Sequence, residues 1–238
     1  GAVAGANTGT DLIHLDEDLS KYKAVFAPVQ YVVSARQAEN GRNYVRNGGV
    51  FVAGVRLGAK DDSSQVVNMP LPGLLRDVMG VTLKDYVPIY TEKVGVAFEQ
   101  QLAGREGQCG LWADLLVPES ATVLAKYVGA YEGAAITMNA FGKGKAVYIG
   151  ADLDGTSLSR VIRSLLEMAG SKSEFTSPPA VEITRRRAGG REWVFALNHS
   201  NEGQKITVSG TFTSVLDKKN FDRELELKPY EVVVLKRS

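Results

Sequence analysis

The 238-residue sequence has few of the residues that build disulfides and metal sites. It contains one cysteine, Cys109, and two histidines, His14 and His199. A single cysteine excludes an internal disulfide and fits a reducing compartment. The two histidines stand far apart, without ligand spacing to cysteine or to paired carboxylates. We therefore expect no metal site and no cofactor.

The sequence also lacks long apolar runs and a dominant charge. No run approaches the ~20 residues that span a bilayer, and the first residues show no basic-then-apolar signal pattern. The 28 basic and 27 acidic side chains nearly cancel. The run Arg185-Arg186-Arg187 is interpreted as a solvated strand edge rather than a phosphate site. We therefore expect neither nucleic acid nor a membrane as a partner, and a cytoplasmic location.

The first part of the chain has a strand–helix–strand pattern. Residues 22–28 and 50–53 are apolar runs, and the second has no polar alternation, which suits a strand covered on both faces. Between them, Ser34 and Gln37 have the spacing of a capping box at a helix start. The buried stripe of this helix is expected at Ala35, Ala38, Tyr44 and Val45. Strand, helix and strand within about 30 residues form a βαβ unit with parallel pairing.

Later segments carry further strand and helix patterns. Residues 74–79 predict a short helix that stops at Gly80, and residues 99–110 are interpreted as a polar loop. Residues 134–149 predict a β-hairpin with glycines in its tip, and residues 156–169 predict an amphipathic helix. Strand character is also present at 81–86, 94–98, 115–117 and 122–127.

The chain divides at a polar, proline-ended linker over residues 171–179. Beyond it, short strand patterns separated by turn residues predict a small antiparallel β-sandwich. We therefore predict an α/β domain over 1–176 and an all-β antiparallel domain over 177–238. The glycine-rich first ten residues do not have the pattern of a domain opening, so we expect the first domain to be truncated at its N-terminus.

The polar loop 56–68 is the first candidate for a working surface. It follows the strand pattern at 50–53, and ligands of open α/β sheets bind outside the carboxyl ends of strands. Arg56, Asp61 and Asp62 are therefore the candidate substrate-proximal residues. The two aspartates could form an acid or metal pair, but adjacent loop residues normally point apart, and a plain surface loop is the favoured interpretation.

Two other polar motifs have a structural interpretation beside a functional one. The sequence Gly142-Lys143-Gly144-Lys145 lacks the spacing of a phosphate loop and precedes a strand, so a hairpin tip is favoured. Asp152 and Asp154 precede a helix, where they could bind a metal or sugar hydroxyls. A helix N-cap is the favoured role for one of them.

No residue is assigned a catalytic role. Cys109 could be a nucleophile, but amidotransferase-like domains place that cysteine at a sharp turn directly after an apolar strand. That place reads Gly54-Val55-Arg56 here, so an inert small side chain is favoured for Cys109. Trp112 and Trp193 could stack on sugars, although packing in the core is favoured for each.

Six segments together carry a resemblance to a known family. In chain order they resemble the middle and C-terminal domains of glycoside hydrolase family 42 β-galactosidases, over nearly the whole chain. The segments are 18–28, 48–62 with its Arg56-Leu-Gly-Ala-Lys-Asp-Asp62, 70–81, 141–150, 195–200 and 227–235.

The resemblance implies a fold for each domain and places assembly and catalysis in different domains. It implies a flavodoxin-like or class I glutamine-amidotransferase-like sheet with flanking helices, which mediates trimer assembly, followed by a small β domain. It places the retaining hydrolysis of terminal β-D-galactosides, through an acid/base glutamate and a nucleophilic glutamate, in an N-terminal barrel. A barrel of this kind takes roughly 250 residues of repeated βα units. These 238 residues contain no such series, so we expect the barrel to be absent from them and assign neither glutamate role.

We therefore expect this chain to be the non-catalytic part of such an enzyme, inactive by itself. It would serve assembly of a homotrimer, with the loop 56–68 bordering a neighbour's active site and the galactoside bound only through the barrel. Two alternatives remain open. One is a free-standing accessory protein that binds carbohydrate or a protein partner, and the other is a degenerate amidotransferase-like enzyme.

Overall fold

The computed structural model describes residues 3–90, 92–102, 106–129 and 131–237. The chain forms two compact units. One unit is Ile13–Gly170, and the other combines Gly1–Leu12 with Ser171–Ser238. The predicted domain boundary at 176/177 stays a prediction.

The unit Ile13–Gly170 is built on one mixed sheet with a few helices. Its helices are α1 (Ala35–Arg46), α2 (Arg76–Met79) and α3 (Gly155–Met168). Its strands are β1 (Ala24–Ala27), β2 (Val50–Ala53), β3 (Val81–Pro88), β4 (Val94–Phe98), β5 (Glu106–Pro118), β6 (Thr122–Val128), β7 (Ala134–Phe141), β8 (Gly144–Ile149) and β9 (Ala151–Leu153).

The sheet joins a parallel part to an antiparallel part. Its strand order is β1-β2-β8-β7-β6-β4-β5-β3, with β9 paired to β5. Strands β1, β2 and β8 pair in parallel, and the remaining pairs are antiparallel. Strand β5 also pairs with β7 through Leu116 and Ala134. The predicted βαβ unit, β1–α1–β2, is confirmed and forms the parallel part.

Helices cover both faces of the parallel strands. Strand β2 is buried at every position, as its unbroken apolar run predicts. Phe51 packs in the hydrophobic cluster that contains Ala38 and Val45 of α1. Val52 faces the other way, into the cluster that contains Val161 of α3. The parallel strands therefore form the middle of a layered α/β core.

The local helix signals are confirmed with one exception. The hydroxyl of Ser34 accepts a hydrogen bond from the Gln37 N–H at 3.1 Å, and the Gln37 side chain accepts one from the Ser34 N–H at 3.2 Å. Helix α2 ends at Gly80, which has a φ of 62°. Ala35 is exposed and does not belong to the buried stripe, which consists of Ala38, Gly41, Tyr44 and Val45.

The interpretation of 99–110 as a loop is wrong for its second half. Strand β5 begins at Glu106 and pairs with β4, so that Cys109 lies opposite Val94. The backbone hydrogen bonds of this pairing outweigh the polar composition of the segment. Residues 103–105 of that predicted loop lie outside the described residues.

The second unit is an antiparallel β structure, as predicted. Its strands are β10 (Phe175–Thr176), β11 (Val181–Ala188), β12 (Arg191–Asn198), β13 (Gln204–Val208), β14 (Phe212–Ser214), β15 (Asn220–Phe221), β16 (Glu224–Leu227) and β17 (Val232–Arg237). They form two sheets, of order β10-β13-β16 and β11-β12-β17-β14-β15. Phe175 and Phe212 meet in its core with ring centroids 4.8 Å apart.

Within the described ranges, no helix is long and apolar enough to cross a bilayer.

Asp154 is the N-cap of α3, the role that the sequence favours for one of the two aspartates. Its carboxylate accepts hydrogen bonds from the N–H groups of Thr156 at 3.1 Å and Ser157 at 3.0 Å. A second oxygen accepts from the Gln108 N–H at 3.0 Å, which ties the helix start to β5. A hydrogen bond with the Ser157 side chain and these backbone bonds lower the pKa of Asp154 to about 2.

We expect Asp154→Ala to lower the free energy of unfolding by about 1 kcal/mol, because the first turn of α3 loses its acceptor. Urea unfolding at neutral pH measures this. The pKa of the native carboxyl is below the ordinary 3.8, so its contribution is present above pH 3.8 and is lost as the pH falls towards 2.

Asp62→Ala is the matched control for this change. It removes the same charge from an exposed loop position whose carboxylate has no hydrogen bond or ion pair within the described ranges. Equal stability of the two variants would contradict the capping role of Asp154.

Candidate functional site

The candidate site lies where the chain leaves strand β2. Gly54 follows the strand directly, and a Cβ atom there would lie 1.9 Å from the carbonyl oxygen of Pro28. Only glycine fits at this distance. Two residues later Arg56 has a φ of 61°, a left-handed conformation that side-chain-bearing residues seldom adopt. The turn therefore has a strained backbone and needs specific contacts to hold it.

The carboxylate of Asp114 supplies those contacts. It is fully buried and accepts a hydrogen bond from the Arg56 N–H at 2.7 Å. It also accepts from Trp112 Nε1 at 2.8 Å and from the hydroxyl of Tyr148 at 2.8 Å. The same hydroxyl accepts from the N–H of Leu57 at 3.2 Å. Two successive N–H groups of the turn are thus fixed, one directly and one through Tyr148.

The guanidinium of Arg56 lies among three aromatic rings, and we call these four residues the Arg56 cluster. Its central carbon lies 4.6 Å from the ring centroid of Tyr31, 5.1 Å from that of Tyr86 and 4.5 Å from that of Trp112. Tyr86 and Trp112 stack on each other with centroids 5.2 Å apart. Arg56 Nη2 donates to the Tyr31 hydroxyl at 2.9 Å. The rings attract the cation and restrict its side chain to one position.

The remainder of the loop 56–68 is held by hydrogen bonds to the segment before α1. Lys60 donates its N–H to the Tyr31 carbonyl oxygen at 3.0 Å and accepts from the Val33 N–H at 3.0 Å. Its ammonium nitrogen lies 5.5 Å from the ring centroid of Tyr31. Within the loop itself, the side chains of Leu57 and Ala59 are buried. The loop is therefore an ordered surface with a packed underside.

The structure separates the three candidate site residues predicted from the sequence. Arg56 belongs to the cluster, whereas Asp61 closes a turn by accepting the N–H groups of Ser63 at 3.0 Å and Gln65 at 2.9 Å. Asp62 is exposed at the loop tip. Within the described ranges, no hydrogen bond or ion pair joins Arg56 to either aspartate. Their proximity to a substrate remains a proposal.

The charges and pKa shifts at the site indicate that Asp114 and Tyr148 position other groups and do not transfer protons. Burial raises the pKa of Asp114, while its three donors and the nearby Arg56 charge oppose the shift. Burial and the Asp114 charge raise the pKa of Tyr148 well above its usual range. Tyr148 therefore stays a phenol that donates to Asp114. With no exposed surface and both oxygens engaged, Asp114 is a positioning group and not a general base.

The other chemical candidates have structural roles. Cys109 is fully buried, and burial raises the pKa of its thiol to about 11, so it is not an activated nucleophile. The Asp152 carboxylate accepts from the Leu111 N–H at 3.2 Å. Gly142, with a φ of 60°, turns the β7–β8 hairpin, as favoured from the sequence. In the parts of the chain that the structure describes, no group of three or more His, Cys, Asp or Glu could hold a metal ion.

Sequence reasoning missed most of the Arg56 cluster. Trp112 and Trp193 are half-buried and lie outside the hydrophobic core, so the favoured core role was wrong for both. Asp114 had a usable signal, because it is a lone carboxylate within the apolar run Leu111–Val117. Such a residue on a buried strand must be matched by donors. The sequence gives no sign of which donors they are.

We expect Asp114→Ala to lower the free energy of unfolding by about 3 kcal/mol, because three donors lose their acceptor at about 1 kcal/mol each. Chemical denaturation at neutral pH measures the loss. Asp152→Ala is the control, since its partly exposed carboxylate accepts only one of the hydrogen bonds described here. A loss no larger than that of the control would contradict the anchoring role.

The pH dependence gives a second readout of Asp114. Its native pKa is raised above the ordinary 3.8, so the native state holds the proton more tightly than the unfolded state. This group's contribution to the free energy of unfolding therefore falls as the pH rises from 3.8 through the native pKa. Asp114→Asn should lack that component of the pH profile.

Comparison with known families matches nearly the whole chain in two pieces. Residues 2–171 match the family model described as the beta-galactosidase trimerisation domain, and residues 180–237 match the beta-galactosidase C-terminal domain. The first match contains every residue of the Arg56 cluster.

Curated relatives extend well beyond the matched region. The beta-galactosidase LacZ of Heyndrickxia coagulans is 30% identical over 231 residues, which are 96% of this chain and 34% of that protein. The beta-galactosidase BgaA of Planococcus sp. is 32% identical over 235 residues, 96% of this chain and 35% of that protein. The chain thus spans about a third of the length of these relatives.

Solved structures give the same picture. The beta-galactosidase from Bacillus circulans sp. alkalophilus matches 100% of this chain and 36% of its own, with a TM-score of 0.92 and 30% identity. The cold-adapted beta-galactosidase from Rahnella sp. R3 matches 99% of this chain and 35% of its own, with a TM-score of 0.89 and 25% identity.

Proposed function

We propose that this chain, which belongs to the glycoside hydrolase family 42 β-galactosidases through their trimerisation and C-terminal domains, serves subunit assembly in a longer enzyme. The observation that carries the proposal is the match of residues 2–171 to the trimerisation domain. Cys109 is fully buried, and among the described residues no group of three or more His, Cys, Asp or Glu could hold a metal ion. We infer that the chain alone does not hydrolyse glycosides.

In the longer protein we propose the retaining hydrolysis of terminal β-D-galactosides as the activity, carried by a barrel outside these 238 residues. The support is that the β-galactosidase relatives are about three times as long as this chain. We also propose that the enzyme is a cytoplasmic homotrimer.

The finer fold assignment belongs with this proposal. We assign the unit Ile13–Gly170 to the flavodoxin-like or class I glutamine-amidotransferase-like type. The parallel strands β1, β2 and β8, with α1 and α3 on opposite faces, support it. We keep 1–176 and 177–238 as the proposed domains.

The loop 56–68 is proposed to border the substrate site of a neighbouring subunit, with Arg56, Asp61 and Asp62 nearest to it. The loop stands at the carboxyl end of β2, where α/β proteins commonly place ligands. Its packed underside and the turn closed by Asp61 give it one fixed shape. It therefore presents Asp62 at the tip of a rigid loop.

Assembly is tested by the mass of the 238-residue chain in solution, measured by light scattering over a wide range of concentrations. We expect a concentration-dependent approach to three times the 25.6 kDa of one chain, because residues 2–171 match the trimerisation domain. A monomer at every concentration would contradict the proposal and favour the free-standing accessory protein.

The exposed rings of Tyr86 and Tyr90 suit that second function as a binding surface.

The loop proposal is tested in the full-length enzyme with Asp62→Ala. We expect a several-fold rise in KM for a galactoside with kcat retained, because an exposed polar contact at the site rim would be lost. Steady-state kinetics measures both constants. Asp222→Ala, an exposed aspartate of the β unit, is the matched control, and identical kinetics for the two variants would sink the loop proposal.

A further inference from the structure

Arg56 is an arginine that the fold holds rigidly without pairing its charge. Three rings surround its guanidinium within 5.1 Å, and its backbone N–H is fixed by Asp114. An arginine side chain on a free surface loses considerable rotamer freedom when it binds a partner. Here much of that cost is met within the fold, so the guanidinium is prepared for binding.

Most of the guanidinium's hydrogen-bonding capacity is unused. Nη2 donates to Tyr31, whereas Nε and Nη1 form no hydrogen bond with any described residue. No carboxylate of the described residues lies within 4.0 Å of the guanidinium nitrogens of Arg56, although the buried Asp114 carboxylate, which binds the Arg56 N–H, is close enough to interact with the charge. Other arginines of the same unit do have such partners, as Arg42 pairs with Asp77 at 2.9 Å and Arg76 pairs with Glu119. Arg56 therefore carries donors that match a carboxylate, with none supplied.

The surroundings of Arg56 have the composition of a protein-binding hot spot. Arginine, tyrosine and tryptophan are the residues most enriched at such sites, and they cluster in a central patch with a polar rim. Tyr86 is 48% exposed, and two further apolar side chains close in sequence, Tyr90 and Leu111, are 87% and 73% exposed. All three rings of the Arg56 cluster contact the guanidinium, and Tyr86 and Trp112 also stack on each other. The free edge of the guanidinium is therefore the polar group available for binding.

We propose that the Arg56 cluster anchors the contact between copies of this chain, and that its guanidinium binds a carboxylate side chain of the neighbouring copy. The inference rests on the proposed assembly function. A cyclic trimer has heterologous contacts, in which a patch on one subunit meets a different patch on the next. The carboxylate therefore comes from a surface other than the Arg56 cluster, and each copy uses its cluster once.

The test measures self-association of the chain by light scattering for wild type, Arg56→Ala and Arg56→Lys. Arg56→Ala should raise the dissociation constant at least about 30-fold, as expected for a hot-spot residue. Arg56→Lys should give an intermediate loss of affinity, because lysine keeps the charge but cannot form a bidentate hydrogen bond with a carboxylate. Arg46→Ala is the matched control, since Arg46 also lies over a ring, Phe141, but bonds to its own helix at Asn43.

A second readout separates binding from folding. Association of the wild type should weaken as the pH falls through about 4, where carboxylates become protonated. The neutral Arg56→Gln variant should lose the part of this dependence that the Arg56 contact contributes. If Arg56→Ala does not fold, the proposal is tested with Arg56→Lys and Arg56→Gln. Near-UV circular dichroism checks that these two variants are folded.

The outcomes distinguish this inference from the assembly proposal. A wild-type chain that trimerises, with folded Arg56 variants that trimerise equally well, would overturn the anchor while assembly stands. A wild-type chain that stays monomeric would overturn both.

Discussion

The buried carboxylate of Asp114 is the contact on which the candidate site depends. It lies on β5 and binds the N–H of Arg56 beyond β2, the hydroxyl of Tyr148 on β8 and the indole of Trp112. A buried charge is costly, and the donors offset that cost only when all of them are in place. The left-handed turn, the indole and the phenol therefore hold one another in position through a single side chain.

This dependence explains why the site lies where the two parts of the sheet meet. Strands β2 and β8 belong to the parallel part, and β5 belongs to the antiparallel part. Asp114 is the polar residue that joins them, since its own N–H also donates to the Gly150 carbonyl oxygen at 2.7 Å. The surface that carries Arg56 is consequently a property of both parts and would not form on either one alone.

Much of the fold could be predicted from local sequence. The capping box at Ser34, the glycine stop at Gly80, the hairpin at 134–149 and the strand ladder after residue 180 all rest on short-range rules, and the structure confirms them. Residues 106–110 were interpreted as a loop because their composition is polar, although they pair in an antiparallel hairpin with the preceding strand, β4. Polar composition dominates a sequence pattern, whereas cross-strand hydrogen bonding decides the structure.

The site could be predicted only in part, because its residues come from segments far apart in the sequence. The position of a loop at a strand's carboxyl end led to Arg56, but also to Asp61, whose carboxylate turned out to close its own turn. The rings around Arg56 come from positions 31, 86 and 112, which only the folded sheet brings together. Family membership could be inferred from the sequence because its motifs occur in order along the whole chain. A cluster assembled from distant segments has no comparable sequence pattern.

The close approach of Gly54 to Pro28 limits what this fold can become. In amidotransferase-like enzymes a nucleophile stands at a sharp turn after a strand, and the corresponding turn here begins with a residue that tolerates no Cβ atom. A cysteine or serine at 54 would collide with backbone, which cannot rotate away as a side chain can. A single substitution therefore cannot place a nucleophile at residue 54. Evolution of such chemistry would first require a different backbone path in the segment that follows β1.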